Sequence, residues 1–233
     1  MATTTGPLEK QAATESIETT QPASFQGWLL LLLVFLAGAA SLSVEMAASR
    51  LLSPYFGDSL FVWASIIGLI LLYLTVGYYV GGLLSDRYPR PVYLYYITGA
   101  ASLLILLIPL IAGPVLSWAQ LTFASYDVGV LYGSLLAVVV LFALPTILLG
   151  CVSPYSIRIR IQQVGRAGRV SGLLYAISTA GSILGTFLPV LVLLPYLGVK
   201  LTFLSTGLVL LLISVVGVLS TSKQAGQDMQ QGI

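Results

Sequence analysis

The chain has 233 residues, of which 58% are hydrophobic and only 8% are charged. A soluble domain carries about 25% charged residues, and one this poor in charge would expose large apolar patches and aggregate. The composition therefore excludes an ordinary soluble protein and predicts a protein that has lipid as its solvent. The net charge of +2 is too small to favour nucleic acid as a partner.

The residue types exclude several classes of enzyme. The chain has no histidine, so the commonest metal ligand and the usual general base near neutral pH are missing. This excludes a metalloenzyme or a Ser-His-Asp hydrolase on this chain alone. No phosphate-binding loop, dinucleotide-binding glycine motif or nucleophile elbow occurs. We therefore expect no catalytic residues, no metal and no cofactor here.

Both ends of the sequence predict tails. The first two dozen residues are rich in Thr, Ala and Glu, with Lys10 as the one basic residue. They lack the positive start and the apolar core of a secretory signal. We expect disordered cytoplasmic tails over residues 1–26 and 221–233.

Between the tails, charged residues separate long uncharged stretches. A helix of about 20 apolar residues crosses the ~30 Å of hydrocarbon in a bilayer. Inside lipid every backbone group must bond within its own segment, which favours helices, and the alternation typical of β-barrel strands is absent. The sequence predicts an all-α membrane protein whose transmembrane domain, 27–220, has about six helices, near 27–48, 59–84, 92–112, 128–150, 170–194 and 201–220.

The stretch from Pro91 to Tyr126 is too long for one simple span. Gly113-Pro114 is expected to break it, so that the segment around Trp118 lies flat at the membrane interface. A re-entrant segment is the alternative.

The basic residues predict the orientation. Two of the loops carry Arg87, Arg90, Arg158, Arg160, Arg166 and Arg169, whereas the other three together carry only Arg50 and Lys200. Positive residues concentrate in cytoplasmic loops. The sequence therefore predicts an integral protein of the plasma (inner) membrane with both termini in the cytoplasm.

Two GxxxG spacings, Gly77–Gly81 and Gly181–Gly185, mark places where helix backbones can approach closely.

The first candidate for a binding site is Glu45, near the end of the first predicted helix. A carboxylate at membrane depth is costly and marks a functional site by default. Asp58, Tyr55 and Trp63 follow it, and carboxylates among aromatic rings can bind an organic cation. The favoured interpretation is nevertheless that Glu45 pairs with Arg50 at the outer interface and stabilises the end of the first helix, with cation binding as the alternative.

A second candidate is the segment Gly82–Arg90, which carries Asp86, Arg87 and Arg90. It is similar to the loop between helices 2 and 3 of major facilitator transporters, although Pro89 and Pro91 depart from that motif. Asp86 is able to pair with an arginine, and such a latch would bias one conformation over another. An ordinary short basic loop is the alternative.

A third candidate is the arginine-rich segment that includes Arg158 and Arg166. Its arginines can bind anionic lipid headgroups or an acidic soluble partner. The alternative is that they only determine the topology.

Several motifs taken in order resemble the membrane region of a known family. The residues are Glu45 with Arg50-Leu-Leu-x-Pro54-x-Phe56-Gly57-x-Ser59, then Gly77-Tyr78 with Gly81-Gly82 and Asp86-Arg87, then Gly165-Arg166, Gly172-Leu-Leu-Tyr175 and Ser178-Thr179-x-Gly181-Ser182. The family is the membrane-embedded spermidine synthase-like proteins, also described as fused facilitator/spermidine synthase proteins. The resemblance covers roughly residues 27–200.

The resemblance implies half of a major facilitator transporter, with six helices instead of twelve. Members of the family typically continue into a soluble aminopropyltransferase-like domain, which this sequence does not contain, so the resemblance implies no catalysis here. It implies a module that transports or senses a small cation such as a polyamine. It would work as a homodimer, whose second copy completes a central cavity, or with a separately encoded synthase-like protein. The alternative is a structural subunit that anchors a soluble enzyme.

Overall fold

A computed structural model describes residues 25–123, 129–161 and 167–231. Within these residues the chain is helical and contains no strand. Most of the predicted tail at 1–26, and Arg166, lie outside the described residues. The helices are α1 Phe25–Phe56, α2 Leu60–Arg87, α3 Pro91–Phe123, α4 Gly129–Gly150, α5 Val152–Arg160, α6 Ala167–Leu188 and α7 Leu194–Gln231, with a π-helical turn at Pro189–Leu193 between the last two.

Five helical stretches are long and apolar enough to cross a membrane, which supports an integral membrane protein. They are Gln26–Phe56, Leu60–Arg87, Pro91–Phe123, Gly129–Arg160 and Ala167–Ser222. Large apolar side chains remain exposed along them, among them Leu71, Leu110 and Leu219. A soluble protein does not expose so much apolar surface, whereas lipid covers it without cost.

The prediction of a break at Gly113-Pro114 is wrong. α3 continues as one helix from Pro91 to Phe123, with Pro109 and Pro114 inside it. Proline removes one backbone hydrogen bond, and membrane helices tolerate this where neighbouring helices hold the segment. The final turns of α3 are held in this way: Ala119 packs against Gly133 of α4, and the Gln120 side chain bonds to α1. The region around Trp118 therefore continues α3 and does not form a separate segment.

Two further helix ends differ from the prediction. α1 ends at Phe56 rather than near Ala48, because an arginine near a helix end extends its charged group towards water and does not stop the helix. α7 continues to Gln231, into the segment for which the sequence predicts a disordered tail. Lys, Gln, Ala and Met are good helix formers, and no proline interrupts this segment.

α6 runs parallel to α1 and packs closely against it. Along α6, Gly181 approaches the backbone of Phe35, and Gly185 approaches that of Ala39. A methyl group at either glycine would overlap a carbonyl oxygen of α1. The expected close packing at this GxxxG spacing is confirmed.

The other GxxxG spacing also marks a close contact between parallel helices. Gly77 of α2 faces the backbone of Ile147 in α4, and Gly81 faces Cys151, which lies between α4 and α5. The buried hydroxyl of Ser134 in α4 bonds to Ser65 of α2 at 3.0 Å. Hydrogen bonds of this kind add to van der Waals packing between membrane helices.

The chain reverses its direction at Gly198. This residue has φ 75° and ψ 175°, a backbone conformation that only glycine adopts without strain, and it interrupts α7. Beyond it, α7 runs antiparallel to α1. The hydroxyl oxygens of Thr206 and Ser43 are 2.9 Å apart. Further along α7, Thr221 lines the same cleft as Gly27, which is near the start of α1. The apolar stretch Ala167–Ser222 is therefore two antiparallel arms.

The π-helical turn before this reversal has a local cause. Pro189 has no N–H, so the α-helical bond to the carbonyl four residues earlier cannot form. Within the turn that follows, the N–H of Leu194 bonds to the Pro189 carbonyl, five residues back. Single π-helical turns of this type absorb the disruption without ending the helix.

Candidate functional site

A cleft of about 800 Å³ opens at the end of the bundle where α1 ends and α7 is interrupted. We call it the Arg50 cleft. One wall consists of apolar residues around the π-helical turn and Gly198. The other wall, from α1 and the start of α2, supplies the polar groups Ser49, Arg50, Ser53, Asp58 and Trp63.

The connection between α1 and α2 places two of these groups. Gly57, at φ 74°, ends α1, and its N–H bonds to the Ser53 carbonyl at 2.8 Å. Ser59 begins α2 as its N-cap, accepting a hydrogen bond from the Val62 N–H. Asp58 lies between the two helices, while Trp63 lies in the first turns of α2.

The Arg50 cleft brings together three of the residues that the sequence singles out. Asp58 supplies a carboxylate, and Trp63 supplies a ring whose face attracts cations. Arg50 places a positive charge on the same wall, so the two ionised side chains of the lining balance each other. The cleft therefore has charge separation but no net charge of its own.

Glu45 does not pair with Arg50, so the prediction of that ion pair is wrong. The one ion pair among the described residues joins Arg158 to Asp86. The reason is the helical period: residues five apart in an α-helix point in different directions, whereas partners lie three or four apart. Arg50 faces the cleft that bears its name, while Glu45 is partly buried and does not line it.

Glu45 instead lies in a polar stripe along one face of α1. Ser41, Glu45 and Ser49 follow at intervals of four residues, which places them on the same side of the helix. Ser49 lines the Arg50 cleft, and Ser41 lines a second cavity of about 80 Å³ deeper in the bundle. Glu45 therefore lies between two cavities on one helix face.

The second cavity is the part of the site that sequence reasoning missed. It lies among α1, α2, α5 and α6, and its polar lining is Ser41, Tyr78, Ser153, Ser178 and Ser182. Ser182 also bonds to the Gly38 carbonyl of α1 at 3.2 Å. The serines on the small-residue faces of these helices are the sequence feature that points to this cavity. A single serine on such a face is common in membrane helices, so none of them indicates a cavity by itself.

Tyr55 is not brought into the cleft. It is partly buried, and its carbonyl oxygen accepts a hydrogen bond of 2.9 Å from the amide of Gln120. Its position therefore connects α1 to the end of α3.

At the opposite end of the bundle, α5 packs against the connection between α2 and α3. The Nε of Arg158 donates to Oδ1 of Asp86 at 2.9 Å. The side chains are 50% and 71% exposed, so the pair lies at the surface. The structure thus brings together two of the residues predicted to control conformation.

Tyr155 strengthens the same connection, although no sequence motif singles it out. Its hydroxyl donates to the Tyr88 carbonyl and, at 3.3 Å, to the Arg90 carbonyl. Arg87 lies over the Tyr88 ring, 5.8 Å from its centroid, and Arg90 is exposed. Neither arginine enters the ion pair.

Comparison of the chain with protein-family models, with curated proteins and with solved structures finds no match.

Proposed function

We propose that the chain is a membrane module that binds a small organic cation, such as a polyamine, in order to transport or sense it. The Arg50 cleft is the entrance, and Glu45 is the charge that binds the cation. The observation that carries the proposal is the partly buried Glu45 carboxylate, which has no basic partner within the described part of the chain.

Glu45 lies well inside α1. It is about 16 Å along the helix axis from the end of that helix, at 1.5 Å per residue. An ionised carboxylate within the hydrocarbon is costly, up to about 2.5–3.5 kcal/mol at the centre of a membrane. A bound ammonium group removes that cost by supplying the missing partner, which gives a cation a reason to bind there.

The Arg50 cleft suits an elongated cation better than a compact one. Asp58 and Trp63 attract an ammonium group at the entrance, while Arg50 repels it from the rest of that wall. A second ammonium group on the same molecule would reach down the polar stripe towards Glu45. A polyamine has this spacing of charges along an apolar chain.

We propose further that the chain crosses the membrane six times and resembles half of a major facilitator transporter. The apolar stretch Ala167–Ser222 is far longer than the about 20 residues that one crossing requires. The reversal at Gly198 divides it into two arms of suitable length. Four other spans and these two arms make six.

The pattern of helix packing supports the half-transporter proposal. Within each six-helix half of a facilitator, the first three helices and the last three form inverted repeats. With the spans numbered one to six, the closest pairs here are one with five, two with four and three with six. An inverted repeat relates span one to four, two to five and three to six. Under this exchange the pair one–five becomes four–two, and the pair three–six stays the same, so the packing pattern agrees with such a repeat.

A six-span half needs a partner to enclose its site, because full transporters bind between two halves. We propose a second copy of this chain as that partner, with a separately encoded synthase-like protein as the alternative. Membership of the spermidine synthase-like family is part of the same proposal, and the sequence motifs around Arg50, Asp86 and Gly181 support it.

Cysteine labelling tests the six spans and the orientation. In a Cys151→Ser background, cysteines at Gly57 and Lys200 should react with an impermeant reagent from outside the cell, and one at Arg90 only after permeabilisation. That labelling pattern is the one expected if both termini are in the cytoplasm. If Lys200→Cys reacts from the same side as Arg90→Cys, the chain does not cross the membrane at Gly198 as proposed.

Thermal stabilisation by spermidine tests the cation site. Ligand at a hundredfold excess over Kd stabilises the folded state by about 2.7 kcal/mol. Glu45→Gln should abolish this stabilisation, whereas Asp86→Asn, which removes a carboxylate at the other end of the bundle, should retain it. Uptake of labelled spermidine into vesicles should show the same order. Equal stabilisation of wild type and Glu45→Gln would refute the role of Glu45.

The exposed arginines support a second candidate function, an anchor for a soluble enzyme. Arg87, Arg90 and Arg169 are exposed at the end of the bundle that we assign to the cytoplasm, and none of them is ion-paired among the described residues. Such a surface attracts acidic proteins. Spermidine uptake that survives Arg90→Gln and Arg169→Gln but not Glu45→Gln favours the transport function over the anchor.

A further inference from the structure

Another cleft, separate from the Arg50 cleft and from the cavity around Ser41, lies near the start of α1. It has a volume of about 240 Å³ and lies where α1, α3, α5 and α7 meet, lined by Gln26, Gly27, Pro91, Tyr95, Arg160 and Thr221. We call it the Arg160 cleft. From its position and chemistry we infer that it binds a phosphate group, namely that of an anionic phospholipid headgroup.

The charge in this cleft is positive and uncompensated. Arg158 is paired with Asp86, but Arg160, two residues further along α5, has no carboxylate of a described residue within 4.0 Å. Among the described residues its one hydrogen bond is a long one of 3.4 Å to the Gly27 carbonyl. The described residues that line the cleft include no acidic side chain. A guanidinium with free donors is the group that proteins use most often for phosphate.

Tyr95 supplies a second polar residue to the cleft. Only 2% of its surface is exposed, yet it is one of the residues that line the cleft. Its ring is held against Gly217 of α7, where any side chain would collide with it. A tyrosine hydroxyl can donate a hydrogen bond, so a phosphate oxygen in the cleft is a suitable acceptor for it.

The start of α3 adds to the positive potential. Pro91 is the first residue of that helix and lies on the rim of the cleft. The N-terminus of a helix carries a partial positive charge and favours anions. The cleft is also large enough, since one water occupies about 30 Å³ in the liquid and a phosphate with its bridging waters needs several times that volume.

The surroundings favour a lipid over a free phosphate. The Arg160 cleft lies at the end of the bundle where the arginines concentrate, and the proposed orientation puts this end at the headgroups of the anionic cytoplasmic leaflet. Leu30 and Ile159 form the apolar part of its lining. A diacyl lipid would place its phosphate on Arg160 and Tyr95 while its chains remain along the apolar helices.

Native mass spectrometry of the full chain in detergent tests the inference. Phosphatidylglycerol should form a saturable adduct, and phosphatidylcholine should bind at least tenfold more weakly. Arg160→Gln should weaken phosphatidylglycerol binding at least tenfold, whereas Arg169→Gln, the same charge change at an exposed site on α6, should leave it within twofold. Tyr95→Phe keeps the ring but removes the hydroxyl, and it should weaken binding several-fold.

Three outcomes would overturn the inference or change the source of the phosphate. If Arg160→Gln and Arg169→Gln weaken phosphatidylglycerol equally, binding is diffuse and the site is refuted. If inorganic phosphate protects the wild type against heat but phosphatidylglycerol does not bind, the lipid assignment is overturned in favour of a soluble phosphate. Should Arg160→Gln not purify as a folded protein, unchanged lipid binding by Tyr95→Phe overturns the inference.

Discussion

The contact between α1 and α6 is the place where one methyl group should have the largest effect on stability. Gly181 faces the Phe35 carbonyl so closely that an added Cβ would overlap the oxygen. That oxygen belongs to the backbone, so the obstacle cannot rotate away as a flexible side chain would. In Gly181→Ala the two helices must therefore separate by about 1.5 Å to restore van der Waals contact.

The magnitude follows from two opposing terms. Forcing an extra methyl group into a packed interface costs about 1–3 kcal/mol. Replacing glycine by alanine within a helix returns up to about 1 kcal/mol through helix propensity. Gly172 lies on the same helix with open space around its Cβ position. Gly172→Ala therefore gains the helix propensity of alanine without the cost of a clash. The difference between the two variants isolates the packing cost.

Unfolding by sodium dodecyl sulfate in mixed micelles, followed by circular dichroism, measures this difference. Gly181→Ala should unfold at a lower detergent fraction than the wild type, and Gly172→Ala at an equal or higher one. A gap of about 1–3 kcal/mol between the variants is expected. If both variants unfold at the same point, α1 and α6 are not packed backbone to backbone in the membrane.

Three further predictions use the same unfolding measurement. Thr98 and Ser214 share a buried hydrogen bond of 2.8 Å, so a double-mutant cycle of Thr98→Val and Ser214→Ala should give a coupling of about 0.6 kcal/mol, and no coupling would contradict the bond. Gly198→Ala should destabilise by about 1–3 kcal/mol because alanine is strained at φ 75° and ψ 175°; a neutral effect would mean that the reversal lies elsewhere. Asp86→Asn should cost less than about 1 kcal/mol because the pair with Arg158 is exposed, and exchanging the two charges should restore the loss; a much larger cost would show that the pair is buried in the membrane.

The positions of the apolar helices follow from the sequence because lipid selects for long uncharged runs. The helix ends follow less well. Arg50 was expected to lie beyond the first helix, yet α1 continues to Phe56, since an arginine near a helix end can extend into water. Pro114 was expected to break a helix, but whether a proline does so depends on the neighbours that hold the next turn, here Gly133 of α4.

The candidate site was predictable in its residues but only partly in its arrangement. Arg50, Asp58 and Trp63 are close in the chain, and they line one cleft. The pair of Asp86 with Arg158 joins residues 72 positions apart, which no local pattern specifies. The second cavity depends on serines from several helices, so it exists only once those helices have packed.

The pairing of α1 with α6 has a consequence for the synthesis and membrane insertion of the protein. Ser182 and Gly38, which bond across this contact, are 144 residues apart in the chain. At a synthesis rate of about 5–20 residues per second, α1 is made roughly 7–30 seconds before the surface that it packs against. During that interval its glycine and serine face, and the Glu45 carboxylate on it, must be shielded by the insertion machinery, by a chaperone or by lipid. Assembly of this bundle therefore waits for the last third of the chain.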